Sequence, residues 1–191
     1  MMMESLVLRN RSCRAFDESK PVSREILTGL VDLARRTASG MNKQPLRYRI
    51  LTEAADIARM LGNCRFGSSL PGITLPPEGG KPTGFILMFT DKEAESPDVL
   101  ALKDVGIAAQ TILLSATEQG FGGCMLGSFD PDRLCADFGI SDRYLPVLAI
   151  ALGKPAERAI LTDAHDGSLR YYRDAANNHC VPKRGLDEVL I

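Results

Sequence analysis

Residues 104–129 read DVGIAAQTILLSATEQGFGGCMLGSF, and the fold class turns on them. From residue 100 to residue 119 apolar side chains fall nearly all round a helical wheel, which marks a central helix buried on most of its faces rather than one lying on a surface. Gly120, Gly122 and Gly123 read as its terminators, and CMLGSF as a short strand and turn. A buried helix that feeds straight into a strand needs a sheet to pack against, and the flanking sequence supplies one.

Upstream, FILMFT (residues 85–90) is a continuous apolar run that suits a buried strand, and RYRIL (residues 47–51) alternates like a half-buried one. Between residues 23 and 36, Ile26, Leu27, Leu30, Val31 and Ala34 recur at helical spacing with Ser23 placed to cap them, and ADIARML (residues 55–61) reads as a short helix. Downstream, Asp130-Pro131 is a helix start, Gly139 closes that helix, and LPVLAIALG (residues 145–153) is another buried strand. These elements do not alternate as regular βαβ units, so the expectation is an α+β fold, with residues 1–191 as a single domain. No internal repeat is visible.

Two stretches resist this scheme. Residues 62–84 hold six glycines and four prolines, and a connection that long reads either as a loop beside a binding site or as a mobile excursion. The tail from residue 154 reads as polar and irregular until VPKRGLDEVLI (residues 181–191), whose Leu186, Val189, Leu190 and Ile191 need a partner surface, in the chain's own sheet or on another subunit.

Composition narrows the function. A net charge of −1 over 191 residues makes no electrostatic case for nucleic acid. No run approaches about 18 consecutive apolar residues, and MMMESLVLRN lacks a basic start followed by a long apolar core, so no membrane partner and a cytoplasmic setting are expected. Cys13, Cys64, Cys124, Cys135 and Cys180 are odd in number and form no CxxC pair, which suggests packed, reduced thiols rather than a disulfide framework or a metal site. The bases a cysteine nucleophile would need, His165 and His179, both fall in the irregular tail.

Common catalytic constellations are missing: there is no GxSxG elbow, HExxH or P-loop, and GFGG lacks the spacing of a dinucleotide fingerprint. A cofactor would then bring the reactive group. RNRSCRAF (residues 9–16) offers guanidinium groups and a hydroxyl that suit a phosphate, or equally a solvated charged turn. TASGMNKQP (residues 37–45) offers small residues that admit a flat ligand. Its Asn42 and Gln44 could meet the edge of a flavin or nucleobase, or merely satisfy the backbone of a loop.

Together these stretches resemble the nitroreductase family of flavin enzymes. The family's opening R-R-S-x-R-x-F and its later P-S-x-x-N-x-Q-P-W correspond here to Arg11-Ser12-Cys13-Arg14-Ala15-Phe16 and Ser39-Gly40-Met41-Asn42-Lys43-Gln44-Pro45. Residues 104–129 resemble its central helix and the following turn, VLAIALGKPAE its last core strand, and VPKRGLDEVL its C-terminal phosphate-contacting tail, so the resemblance spans residues 6–191.

The resemblance implies a central, mostly antiparallel sheet flanked by helices, in an intertwined homodimer with FMN sites at the subunit interface. It implies an oxidoreductase using NADH or NADPH to reduce nitroaromatics, quinones or similar small-molecule acceptors by a ping-pong cycle, with FMN rather than a catalytic side chain carrying the chemistry and no metal. Arg11, Ser12 and Arg14 would face the FMN phosphate and the ribityl or pyrimidine side, with Asn10 where an arginine often stands. Ser39, Gly40, Asn42 and Gln44 would line the flavin; Met125, Leu126, Gly127 and Ser128 would pass its face, an amide near Gly127 pointing at N5; and Lys183 and Arg184 would complete the phosphate clamp.

Asn10, Ala38, Leu46 and Gly127 depart from the family pattern, and these departures bear on substrate preference. The alternatives are a flavin-binding or redox-sensing module without turnover, and a specialised member acting by reductive dehalogenation or enone reduction. Cys124 lies beside the predicted flavin turn, where packing is its expected role.

Overall fold

The computed structural model describes residues 2–67 and 73–191. Its helices are α1 (Met3–Arg9), α2 (Arg24–Ala34), α3 (Ala54–Leu61), α4 (Asp98–Glu118) and α5 (Pro131–Phe138). The strands are β1 (Leu46–Leu51), β2 (Gly84–Asp91), β3 (Gly122–Leu126), β4 (Tyr144–Gly153), β5 (Ala159–Asp163), β6 (Tyr172–Arg173) and β7 (His179–Lys183). The main sheet has the order β1-β2-β4-β3 with every pair antiparallel. The α+β class, the mostly antiparallel sheet and the flanking helices are those expected.

β2 is apolar throughout because the sheet is covered on both faces. Phe85, Leu87 and Phe89 join Leu51, Phe16, Leu134 and Phe138 in one core, while Ile86 and Met88 join Leu27, Leu30, Ala108, Ile112 and Ile150 in the other. Successive side chains of one strand thus enter opposite layers. The helix termini follow their caps: Ser23 Oγ accepts from the Ile26 amide at 3.3 Å, Asp130 Oδ1 accepts from the Arg133 amide at 3.0 Å, and Gly139 takes the left-handed conformation.

α4 departs from expectation in one respect. Val105, Ala108, Ala109, Ile112, Leu113 and Ala116 are buried, but Val99, Leu102 and Ile107 are 62%, 60% and 42% exposed, so an apolar stripe stays uncovered within one chain. With 21 residues, 18 consecutive ones of which have a mean hydropathy of 1.5, α4 is also long and apolar enough to cross a membrane by length and composition; here its apolar face is the second core.

Of the three glycines read as helix terminators, only Gly120 does that work, at a φ of 77°. Gly122 and Gly123 belong to β3, where close approach excludes a side chain: a Cβ on Gly123 would sit 2.5 Å from the Ala151 carbonyl oxygen, and one on Gly122 2.8 Å from the Pro155 ring. Gly153, opposite, would bring its Cβ within 2.9 Å of the Phe16 ring.

The tail is a further correction. It folds into a second sheet of order β5-β7-β6, with β5 parallel and β6 antiparallel to β7. β6 has two residues and β5 is a short mixed run, too brief for a periodicity to show. The expected loop over residues 62–84 opens as the C-cap of α3 at Gly62 and returns beside Phe16, whose amide donates to the Gly80 carbonyl at 3.0 Å; residues 68–72 lie outside the described part.

Asp91 closes β2 against the start of β1. Its buried carboxylate accepts twice from Arg143, at 2.7 Å to each oxygen, and pairs with Arg47 at 2.8 Å, while its amide donates to the Pro45 carbonyl at 2.8 Å. Hydrogen bonding from Arg143 holds its pKa down at about 2 against its burial.

Two outcomes follow. Gly123→Ala must displace backbone rather than a flexible side-chain tip, and thermal unfolding should show a loss of about 1–3 kcal/mol, roughly 2–4 °C for each. Because the Asp91 pKa is depressed by folding, its stabilisation is complete above the ordinary carboxylate range and disappears as pH falls towards about 2. Asp91→Asn should therefore melt below wild type at pH 7, with the gap narrowing in melts at progressively lower pH; a constant gap would remove the charge pair from the account.

Candidate active site

The segment after α1 is laid along the sheet by its backbone. Ser12 bridges Gly123 in parallel register, the Cys13 amide donates to the Gly123 carbonyl at 2.9 Å, and the Ala156 amide donates to the Ala15 carbonyl at 2.9 Å. Phe16, with no exposed surface, anchors the far end in the first core. Arg11 and Ser12 are thereby presented to a groove of about 610 Å³ whose walls include Arg9, Gly122, Glu157 and Arg158.

Arg14 leaves the segment towards the second sheet. Its amide donates to Glu157 Oε1 at 2.5 Å, its guanidinium carbon lies 5.7 Å from the centre of the Tyr171 ring, and Nη1 is 3.3 Å from His179 Nε2. The Nε atoms of Arg11 and Arg14 are buried without a partner. Buried donors of this kind are costly unless an acceptor arrives, so the pair suits an anionic or acceptor-rich ligand.

Asn10 lies elsewhere. Its buried amide donates to the Leu113 carbonyl at 3.1 Å and to Thr117 Oγ1 at 2.9 Å, and accepts from Gln110 Nε2 at 3.3 Å. All three partners are on α4, so the side chain assigned to the clamp instead ties the segment to the helix.

The thiols here are packing groups. Burial, with the Glu157 charge adding to it, pushes Cys13 up to about 12, and burial raises Cys124 against the opposing pull of Arg14. All five cysteines are free.

The loop after α2 is built on Asp104 of α4. Ser39 Oγ donates to Asp104 Oδ2 at 2.6 Å, the Gly40 amide donates to Oδ1 at 2.9 Å, and the Gln44 amide returns to Ser39 Oγ at 2.9 Å. Gly40 sits against Leu100, where a Cβ would come within 3.0 Å. Met41, Asn42 and Gln44 have φ values of 52°, 54° and 47°, left-handed geometry that non-glycine residues hold only where the surroundings impose it, typically at ligand sites. Asn42 and Gln44 stand exposed, and Ser39, Gln44, Tyr48 and Asp104 wall a second cavity of about 350 Å³.

The turn after β3 forms a third place. Met125, Gly127 and Ser128 are exposed, but Leu126 is buried in the first core, so its side chain faces away from any ligand. Gly127 and Ser128 wall a cavity shared with Asn63 and Arg65, and the Arg65 amide donates to the Ser128 carbonyl at 2.9 Å. Asn63 Oδ1 accepts from the Asp130 amide at 2.9 Å while its buried Nδ2 has no partner.

Lys183 and Arg184 do not join Arg11 and Ser12 within one chain: both are exposed at the end of β7, and Arg184 pairs with Glu188 at 3.4 Å. Of the predicted residues, Arg11 and Ser12, Ser39 and Gln44, and Gly127 and Ser128 thus line three separate cavities. Sequence reading missed Asn63, Asp104, Glu157 and Tyr171, and met His179 only as a potential base in the tail. Only tertiary contact reveals them, although the orphan Asn63 stands directly before Cys64 at the loop that the glycines and prolines flagged.

A sequence model described as the Nitroreductase family matches residues 7–65 and 77–154, more than half of the chain. The Bacillus subtilis (strain 168) protein YodC, provisionally named an NAD(P)H nitroreductase, is 27% identical over 182 residues, covering 80% of this chain and 90% of its own. A Desulfovibrio desulfuricans structure, provisionally called a nitroreductase in complex with FMN, superposes with a TM-score of 0.73 at 23% identity, covering 98% of this chain and 94% of that one. The gut-bacterial enone reductase CLA-ER superposes with a TM-score of 0.71 at 17% identity, over 86% and 93%. By its match to the family model over more than half of its length, the chain belongs to the nitroreductase family.

Proposed function

We propose that the chain is one FMN-binding domain acting as a cytoplasmic oxidoreductase, which uses NADH or NADPH to reduce nitroaromatics, quinones or similar small acceptors. The observation that carries this is the docked Arg11-Ser12-Arg14 segment, with buried Nε donors on both arginines. The donors suit FMN: guanidinium and hydroxyl groups for its phosphate, and the Arg14 and Asn63 donors for an acceptor-rich ring edge. When bound, FMN supplies the hydride and electron chemistry.

The chain's own residues bind and orient. Arg11 and Ser12 hold the phosphate, Arg14 places positive charge where negative charge collects on reduction, and Asn42 and Gln44 present amides from a loop kept rigid by Asp104. Gly127 leaves its side open, since a Cβ there would meet nothing within 4 Å. Lys183 and Arg184 add charge at the phosphate from a second chain in this reading.

That second chain is a copy of the first. The uncovered Val99, Leu102 and Ile107 of α4, the exposed Met41, and the exposed Leu186, Val189, Leu190 and Ile191 offer apolar surface that a homodimer would bury. In this reading a partner closes the separate cavities into one site. Five free thiols accord with a reducing compartment.

Purified protein should be yellow and release FMN on denaturation, and it should oxidise NADH or NADPH with an artificial quinone acceptor. Colourless protein that takes up no added FMN overturns the reading, and bound FMN without turnover favours a flavin-binding module. Arg14→Ala should lower the midpoint potential of bound FMN by roughly 30–65 mV, the equivalent of one charge-assisted hydrogen bond of about 1.5–3 kcal/mol in a two-electron couple. Spectroelectrochemistry measures it, and an unchanged potential with FMN still bound removes Arg14 from the ring edge.

A further inference from the structure

His179 is 2% exposed and is fixed from both sides by the second sheet: it pairs with Ala159 of β5 and Arg173 of β6, and its amide donates to the Arg158 carbonyl at 2.8 Å. Its ring stands edge-on to Tyr171, with centroids 5.2 Å apart at 63°. Nε2 lies 3.3 Å from Arg14 Nη1, and Nδ1 is buried without a partner.

Arginine only donates, so Nε2 must carry a lone pair and the proton must sit on Nδ1. Leaving Nδ1–H unpaired is unfavourable, yet the other tautomer would aim Nε2–H at the guanidinium and leave the buried Nδ1 lone pair unmet, which is worse. Glu157 does not compete for that guanidinium: one of its oxygens takes the Arg14 amide and the other takes Arg173 Nη2, each at 2.5 Å.

We infer that His179 is a positioning residue, whose neutral Nε2 holds the Arg14 guanidinium against Tyr171 so that its remaining N–H groups meet the pyrimidine edge of FMN, and that a proton taken up by His179 releases it. The inference rests on the reading of Arg14 as a flavin contact. The groups facing the imidazole are Arg14, the Tyr171 ring, Arg173 and Glu157. Burial and then Arg14 push the His179 pKa below its ordinary value, with Arg173 acting the same way and Glu157 opposing, so the neutral form prevails at neutral pH. On acidification the lone pair is lost and two cations face each other.

His179→Gln supplies an acceptor near the Nε2 position that does not titrate; His179→Phe keeps a ring against Tyr171 but removes the acceptor. FMN affinity, read by flavin fluorescence from about pH 7.5 to about pH 5, should fall about tenfold more in wild type than in His179→Gln, the worth of one good hydrogen bond. His179→Phe should bind about tenfold more weakly at the upper pH and show no extra acid loss. Protonation of the FMN phosphate is common to all three proteins and cancels in the comparison. Identical pH profiles for wild type and His179→Gln would overturn the inference.

Long-range proton–nitrogen NMR provides a readout that does not depend on FMN. With His165→Gln to separate the two imidazoles, His179 should be the Nδ1–H tautomer and should titrate below an ordinary histidine, and Arg14→Ala should raise that midpoint. The opposite tautomer, or a midpoint indifferent to Arg14, would overturn the contact itself. If the NMR result holds while Arg14→Ala leaves FMN affinity unchanged, it is the assignment of Arg14 to the flavin that falls, and with it the positioning role.

Discussion

The site depends on one seam, where residues 12–16 lie against a row of glycines at the ends of β3 and β4. Gly122, Gly123 and Gly153 are each approached so closely that a side chain would collide with Pro155, with the Ala151 carbonyl or with Phe16. Because they carry none, the segment can pair with β3 through the Cys13 amide and drop the Phe16 ring into the core. The backbone geometry then dictates the chemistry. Buried Cys13, Ala15 and Phe16 face inward, which leaves Ser12 exposed and the guanidiniums of Arg11 and Arg14 half-buried, with donors lacking acceptors.

α4 organises what the seam does not reach. Its buried Asp104 holds Ser39 and Gly40 by two hydrogen bonds, which lets Met41, Asn42 and Gln44 occupy left-handed conformations they would otherwise avoid. About two to four turns further along, Leu113 and Thr117 accept from the Asn10 amide and Gln110 donates to it. One helix thus fixes the position of both candidate ligand-binding stretches, and its rigidity follows from having Ala108, Ala109, Ile112 and Ala116 packed on the sheet. The small side chains at these positions allow that close packing. The stretch read as apolar all round because Leu102 and Ile107 also carry apolar side chains on the face that the sheet does not cover.

What was legible in the sequence were the features whose cause is local. Caps at Ser23 and Asp130, the left-handed Gly139 and the two-faced burial of β2 each rest on a few neighbouring residues, and each was readable. The ligand stretches were legible as motifs, because guanidinium and amide donors are recognisable by type. What failed depended on distant contact. Asn10 looked like a weakened clamp because only the fold shows that its amide is taken up by α4, and Leu126 looked like a site residue because the parity of β3, which sends it inward, is set by pairing with β4. The second sheet escaped because β5 and β7 pair in parallel across residues 164–178, and no local pattern announces such a pairing.

That sheet also gives the Arg14 environment its electrostatic character. Glu157, Arg173, His179 and Tyr171 surround a guanidinium without neutralising it: Glu157 is occupied by Arg173 and by a backbone amide, His179 offers a lone pair rather than a charge, and Tyr171 offers a ring face. A carboxylate paired directly with Arg14 would have cancelled the positive charge and placed negative charge beside any anionic ligand. A neutral acceptor fixes the direction of the guanidinium and leaves its charge available, which is the property that a site for a group gaining negative charge on reduction requires. Proton-transfer groups of tuned pKa serve substrates that the protein itself must protonate, whereas a site built around a redox cofactor needs fixed charge and fixed direction.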